Sequence, residues 1–274
     1  MKIGFIGTGN MGQAILEGFI VSEKVKKEDI FIYDPDQLKL DTLIKKYGVS
    51  AAENENKLAE SSELIILAVK PNIYDKILEK IKSNIDGKKK ILTIAAGYSV
   101  DRAEGILGND KKIIRTMPNM PAQILEGMTG VVFNKNITHE EKAEILELLT
   151  GFGGAEEIDE KLMHVFTSIS GSIPAVVDIF IEALADGAVL NGMPRDKAYR
   201  ILSEAVAGSA HMIGKTKKHP GLLKDEVCSP GGTTIEAVAA LEKGGFRAAL
   251  IEAVNKCTEK SVKLRDRKST RLNS

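Results

Sequence analysis

Lys2-Ile3-Gly4-Phe5-Ile6-Gly7-Thr8-Gly9-Asn10-Met11-Gly12 decides the fold. Its apolar start reads as a short buried strand. Three glycines follow at the first, third and sixth places, and Met11, Ile15 and Phe19 then fall on one helical stripe. A Gly-x-Gly-x-x-Gly run after a strand and at the opening of a helix has a physical logic. Gly7 permits a tight turn, Gly9 lets an anionic group approach the backbone, and Gly12 lets the helix lie close to the sheet.

Working outward, Ile30-Phe31-Ile32-Tyr33 reads as a second strand ending at Asp34. A carboxylate there is placed to bond the ribose hydroxyls of a dinucleotide and to repel a 2′-phosphate. It equally fits an Asp-Pro turn, since Pro35 follows. The ribose reading carries an expectation that NADH serves at least as well as NADPH.

The alternation continues. Leu40, Leu43, Ile44 and Tyr47 make one helix stripe, and Ile73, Ile77, Ile81 and Ile85 another. Leu64 to Val69 reads as a buried parallel strand, followed by strands at Ile91–Ala95, Ile113–Arg115, Thr129–Phe133 and Ala155–Ile158. Thr138 and Glu141 form a capping box for a helix running to Leu149. The pattern predicts an α/β chain with a doubly wound, Rossmann-type sheet over residues 1–159. In such a sheet Lys70-Pro71, Ala95-Ala96-Gly97 and Met117-Pro118-Asn119 line one crevice at the carboxyl ends of the strands.

Beyond Asp159 only helices are suggested: Glu160–Ser170, Pro174–Leu190, Arg195–Ile213, Thr233–Lys243 and Phe246–Leu264. Ala183, Ala185, Gly187, Ala188, Ala205, Ala207, Gly208 and Ala210 keep helix surfaces small. This predicts an all-α domain over 160–264 packed against itself and a second subunit, with a self-contained bundle as the alternative. Residues 265–274 are polar and without period, and read as a disordered tail, with a non-native cloning scar as one origin.

Composition narrows the function classes. Apolar residues make up 43% of 274, enough for a packed core. The 38 basic residues equal the 38 acidic ones, so no global field draws nucleic acid or membrane. Trp is absent and aromatics reach only 5%, which argues against a base-stacking platform. Cys228, Cys257 and the four histidines show no metal-ligand spacing. With no signal segment ahead of the first strand and no membrane-length apolar run, a cytoplasmic protein with free thiols is expected.

A second site is written in Cys228-Ser229-Pro230-Gly231-Gly232-Thr233-Thr234. A Pro-Gly-Gly turn into a helix leaves backbone amides unpaired and aligned with the helix dipole, an anion site flanked by two hydroxyls. An ordinary helix start with a threonine cap is the alternative. A dinucleotide turn plus an anion site implies redox chemistry on a small carboxylate. No His or Lys is evidently placed as acid or base. A cyclic imine explains this: protonated, it is already electrophilic and needs chiefly a hydride and positioning.

At these residues the chain resembles the pyrroline-5-carboxylate reductases. The matching blocks are Leu223–Thr234 continued by Leu241–Arg247, Gly7–Gly12, Leu67–Pro71, Arg115–Asn119 and Glu182–Gly187. The resemblance covers the chain to about Arg265. It implies NADH- or NADPH-dependent reduction of Δ1-pyrroline-5-carboxylate to L-proline, the last step of proline biosynthesis. It implies that the amides of Gly231, Gly232 and Thr233 hold the substrate carboxylate, bordered by Val227 and Ser229. Thr234 would face the ring nitrogen as proton donor or orienter. The cofactor would lie against Gly7, Gly9, Asn10, Met11, Gly12, Asp34, Ala68, Val69, Lys70, Pro71, Ala95 and Asn119, with Asn56 near the ribose. The implied assembly is a homodimer through C-terminal helices, in some members a ring of dimers.

Three positions depart from the family pattern. Gly171-Ser172-Ile173-Pro174-Ala175-Val176 replaces the usual Gly-Ser-Gly-Pro-Ala-Tyr, and Met120 stands where Thr is common. Two rival readings exist. A β-hydroxyacid dehydrogenase shares the Gly4–Gly12 opening but needs a catalytic Lys after the Gly171 segment, and none occurs before Lys197. A non-catalytic nucleotide-sensing scaffold is the other.

Overall fold

The computed structural model describes the backbone of residues 1–270 and the side chains of residues 1–263. Eight strands form one sheet: β1 (Ile3–Ile6), β2 (Ile30–Tyr33), β3 (Ser50–Ala51), β4 (Leu64–Leu67), β5 (Lys90–Thr93), β6 (Lys112–Met117), β7 (Gly127–Phe133) and β8 (Gly153–Glu157). Their order is β3-β2-β1-β4-β5-β6-β7-β8. The chain winds one way from β1 and then the other, so the order reverses between β1 and β4. That reversal opens a crevice at the carboxyl ends of the strands.

Every pairing is parallel except β6 with β7. The reversal follows from the connection, residues 118–126, whose one ordered piece is a 3-10 turn at Met120–Ile124. It is too short for the crossover helix that a parallel return requires.

Residues of each strand alternate between two cores. Ile3, Phe5, Leu64 and Ile66 pack on one face with Phe19, and Ile6, Ile65 and Leu67 on the other with Ile77 and Ile81. Both faces are covered by helices: α1 (Asn10–Val21), α2 (Gln37–Tyr47), α3 (Glu55–Ser61), α4 (Tyr74–Ile81), α5 (Val100–Leu107) and α6 (His139–Leu149). Local chemistry starts them. Asp36, Asn54 and Ser99 each accept an amide at an N-cap. Thr138 and Glu141 close the expected reciprocal box on α6. The expected stripe beginning at Ile73 is shorter than predicted: Ile73 is exposed in a 3-10 turn, and α4 buries Ile77 and Ile81.

The stretch expected as one helix at Glu160–Ser170 is a 3-10 turn, a short α7 (Met163–Phe166) and a π-helical turn at Thr167–Gly171. Then follow α8 (Ile173–Leu190), α9 (Arg195–Thr216), α10 (Pro220–Val227), α11 (Thr233–Lys243) and α12 (Phe246–Thr270). The expected stop at Leu264 is not a helix end, because α12 runs on to Thr270. The remainder of the expected tail, residues 271–274, lies outside the described residues.

Contacts divide the chain into two units. One holds Met1–Ser172 and the chain from Cys257 onward, and the other holds Ile173–Lys256. This contact division falls at Ser172, because Met163 and Phe166 are buried in the sheet's second core. Within that unit Ser172 Oγ meets Cys257 Sγ at 3.0 Å, Ser168 meets Thr258 at 2.8 Å, and His164 Nδ1 meets Ser261 at 2.9 Å.

The second unit has almost no interior. Its buried hydrophobics are Ala185 and Ala198 alone among the described residues, while Ile179, Leu190 and Ile251 are 66%, 87% and 63% exposed. Among the described residues no helix is long and apolar enough to cross a membrane.

Candidate functional site

One candidate site grows from the β1–α1 turn. Gly7 has φ 92°, a left-handed conformation that disfavours a side chain. A Cβ there would also meet Val69 Cγ1 at 2.6 Å. A Cβ on Gly12 would meet Ala68 Cβ at 2.9 Å and the Gly7 carbonyl at 3.0 Å, so α1 lies hard against the end of β4. Ala68 and Val69 thus back the turn from behind. Gly9 differs: a Cβ would find nothing closer than the Ala68 carbonyl at 4.0 Å, and Gly9 and Asn10 are exposed. The helix has no side-chain cap and no acidic residue in its first turn. Its leading amides, from Asn10, Met11 and Gly12, have no intrahelical acceptor and face a place an anion can reach.

Asp34 sits where the sequence places it, but its partners are new. Oδ2 accepts from the Thr8 amide at 2.8 Å and the Thr8 hydroxyl at 2.9 Å, and Oδ1 accepts from the Asp36 amide at 3.1 Å. Lys39 Nζ lies 3.9 Å away. Burial pushes the Asp34 pKa up, but these amides, the hydroxyl and the Lys39 charge outweigh it and hold the carboxyl below its ordinary value. Thr8 was not expected from the sequence; only its place inside the glycine run hinted at it.

Other expected residues divide. Asn56 Oδ1 is buried without a hydrogen-bond partner among the described residues. A buried acceptor left open is costly unless a ligand supplies a donor. Lys70 is exposed and precedes Pro71 at the head of a 3-10 turn, and Ala95 is buried at the end of β5. Asn119 departs from expectation. Its side-chain nitrogen donates to the Ser170 carbonyl at 3.3 Å and its oxygen accepts from the Met128 amide at 2.8 Å. Both ends of that amide are committed to the protein's own backbone, so it tethers the end of β6. A cleft that sequence reasoning missed lies beside the glycine turn. It is lined by Ile6, Tyr33, Pro35, Val69 and Ile77, with Glu55 and Lys80 paired at its edge. Tyr33 and Pro35, flanking Asp34, were its only signal in sequence.

A separate candidate site lies in the helical unit. Gly231 has φ 66°, and Gly232 is the N-cap of α11 without any side-chain cap. The threonine-cap alternative therefore fails, because Thr233 and Thr234 stand inside the first turn. A Cβ on Gly232 would lie 2.3 Å from Ser229 Oγ. One correction applies to the expected trio of amides: that of Gly232 already donates to the Ser229 carbonyl at 3.0 Å. The amides of Gly231, Thr233 and Thr234 have no acceptor among the described residues. Thr234 is half-buried, while Val227 and Ser229 are exposed.

A family model described as pyrroline-5-carboxylate reductase dimerisation matches residues 160–264. Another, described as NADP oxidoreductase, coenzyme F420-dependent, matches residues 2–97. The pyrroline-5-carboxylate reductase of Escherichia coli (strain K12) is 51% identical over 96% of this chain and 98% of that protein. The chain belongs to the pyrroline-5-carboxylate reductase family.

Solved reductases agree. The Coxiella burnetii structure gives a TM-score of 0.91 at 28% identity, covering 96% of this chain and 98% of that one. The Plasmodium falciparum structure, with NADP bound, gives 0.85 at 33% identity, covering 97% and 98%. Against that family, Ile173 opens α8 and is half-buried, as is Val176, and Met120 is 57% exposed. No group of His, Cys, Asp or Glu suited to a metal ion occurs among the described residues.

Proposed function

We propose that this chain reduces Δ1-pyrroline-5-carboxylate to L-proline at the expense of NADH or NADPH, the last step of proline biosynthesis. The observation that carries the reading is the uncapped start of α11, where the Gly231, Thr233 and Thr234 amides lack acceptors among the described residues. These donors and the helix dipole suit a substrate carboxylate. The Gly232 amide stays in the turn and keeps it tight, while Ser229 and Val227 border the pocket.

When bound, the dinucleotide supplies the hydride. The chain's share is binding and orientation. The Asn10, Met11 and Gly12 amides take the pyrophosphate beside Gly7 and Gly9, and Asn56 offers its open acceptor to a ribose hydroxyl. The Tyr33–Val69 cleft takes the adenine. Asp34, fixed by Thr8, disfavours a 2′-phosphate, so NADH is at least competitive. Ala95, Lys70 and Pro71 edge the crevice. Thr234 faces the ring nitrogen, either donating its hydroxyl proton to the neutral imine and regaining one from water, or orienting the iminium by a hydrogen bond, as the imine carbon becomes tetrahedral.

Residues 1–159 carry the cofactor in this reading, and residues 160–264 carry the substrate and the homodimer contacts, with a ring of dimers as a further step. The exposed apolar helices of the second unit and the dimerisation match support the homodimer. Two free thiols, Cys228 and Cys257, accord with a cytoplasmic setting.

The test is direct. Purified protein should oxidise NADH or NADPH with pyrroline-5-carboxylate and leave 3-hydroxy acids with NAD⁺ untouched. Activity on hydroxy acids alone would transfer the chain to the rival dehydrogenase reading, and no turnover with either would leave a nucleotide-sensing scaffold.

A further inference from the structure

The paired segment of β4 and β5 ends at Leu67 and Thr93. The ladder has a two-residue period, and the Lys90 amide donates to the Glu63 carbonyl at 2.9 Å. Counting on, the Leu92 amide faces Ile65, and the Ile94 amide is due to face the Leu67 carbonyl. It does not bond there. Ile94 N donates instead to Tyr74 Oη at 3.3 Å, and Tyr74 Oη donates to the Leu67 carbonyl. A phenol hydroxyl stands in the last rung of the sheet.

A direct rung holds nitrogen and oxygen about 2.9 Å apart. An inserted hydroxyl spreads the two strands where they leave the ladder. The segments that diverge there are Ala68–Pro71 and Ala95–Gly97, the two edges of the cofactor crevice. Tyr74 has no exposed surface and begins α4. Its ring packs on Tyr98 at 4.8 Å between centroids. Tyr98 Oη donates to Asp75 Oδ1 at 2.8 Å, and Arg102 grips the same carboxylate with Nε at 3.0 Å and Nη2 at 2.5 Å. The Arg102 guanidinium also covers the Tyr98 ring at 5.1 Å. Two helices thus fix one hydroxyl. Burial pushes the Tyr74 pKa up, so it keeps the proton that the Leu67 carbonyl accepts.

We infer that Tyr74 is a positioning residue for the dinucleotide: its hydroxyl, set between Ile94 and Leu67, holds β4 and β5 open at the width the cofactor needs. The inference rests on the dinucleotide reading of the Gly7–Gly12 turn. Without the hydroxyl, the strands close onto a direct rung or leave two polar groups unpaired.

The experiment is Tyr74→Phe, with Tyr47→Phe as a control that removes a phenol bonded to Glu17 on the first unit. Dissociation constants for NADH and NADPH are measured by fluorescence titration, and melting temperature alongside. Tyr74→Phe should weaken dinucleotide binding about three- to tenfold, the size of one neutral hydrogen bond, with Tyr47→Phe unchanged in affinity even where its melting temperature falls. Wild-type affinity in Tyr74→Phe overturns the inference. A wild type that binds neither dinucleotide overturns the underlying reading instead. If Tyr74→Phe does not fold, amide exchange on the wild type decides: bound dinucleotide should slow exchange at Ile94 more than at Leu92, and equal slowing sinks the role.

Discussion

Asp34 Oδ2 accepts two hydrogen bonds from Thr8, the amide at 2.8 Å and the hydroxyl at 2.9 Å. The carboxylate at the end of β2 is thereby tied to the glycine turn that follows β1. The side chain is 11% exposed, so its position is set before any ligand arrives. In the proposed reading it is a fixed negative charge beside the ribose.

That charge should govern cofactor choice. Asp34→Asn keeps an acceptor for Thr8 and removes the repulsion of a 2′-phosphate. The ratio of kcat/KM for NADPH to that for NADH should rise about tenfold, as for two like charges a few ångströms apart at close to the dielectric of water. Steady-state rates with both cofactors check it, and an unchanged ratio would show that the carboxylate does not face the ribose.

The same group sets a pH dependence. Its folded pKa lies below the unfolded value, so its stabilisation is complete above the unfolded pKa of about 3.9. It is lost as pH falls through the folded value. The melting-temperature gap between wild type and Asp34→Ala should hold steady from about pH 8 to about pH 5 and narrow below about pH 4. A gap that persists at the acid end would contradict the hydrogen-bonded carboxylate.

Two glycines in one turn should behave differently. Gly12→Ala forces a Cβ to 2.9 Å from Ala68 Cβ and should cost about 1–3 kcal/mol of stability along with cofactor affinity. Gly9→Ala has room, with its nearest neighbour at 4.0 Å. It should melt like wild type and still lose dinucleotide binding, because the methyl group occupies the anion's approach. Thermal melts paired with NADH titration separate the cases, and full affinity in Gly9→Ala would remove the pyrophosphate from this turn.

Thr234→Ala should lower kcat by an amount equivalent to about 2–4 kcal/mol in the barrier, with NADH affinity unchanged. Single-turnover rates give the comparison. An unaltered kcat would leave Thr234 as a pocket wall only.

The second unit should depend on assembly. With only Ala185 and Ala198 buried among its described hydrophobics, it lacks the interior that a helical unit of its length needs. Light scattering should report a dimer, and melting temperature should climb with protein concentration. Ile179→Asp should lower both. A monomer with a concentration-independent melt is the outcome that excludes it.

Local signals were legible in the sequence. The Thr138–Glu141 box, the Gly7–Gly12 turn and the alternation of buried strands are each written in adjacent residues, and the structure has all three. Features set by distant partners were not. β3 went unseen because Ser50 and Ala51 are both exposed and bury nothing. α10 went unseen because Pro220–Val227 has no buried residue among the described residues. Asp34 was located correctly, but its bond to Thr8 joins two strands, and no periodicity announces it. The same holds for Tyr74, whose hydroxyl lies in a rung defined by β4 and β5 together. In the turn before α11 the sequence shows the glycines, while only the backbone path shows that the Gly232 amide is already taken.

Ser172 and Cys257, 3.0 Å apart through their side chains, mark where the chain departs from the sheet unit and where it returns. The helical stretch between them is therefore a detour with a single gateway. A sheet unit built this way can have that detour excised and the gap bridged by a few residues, or exchanged for a different one, without rethreading a strand.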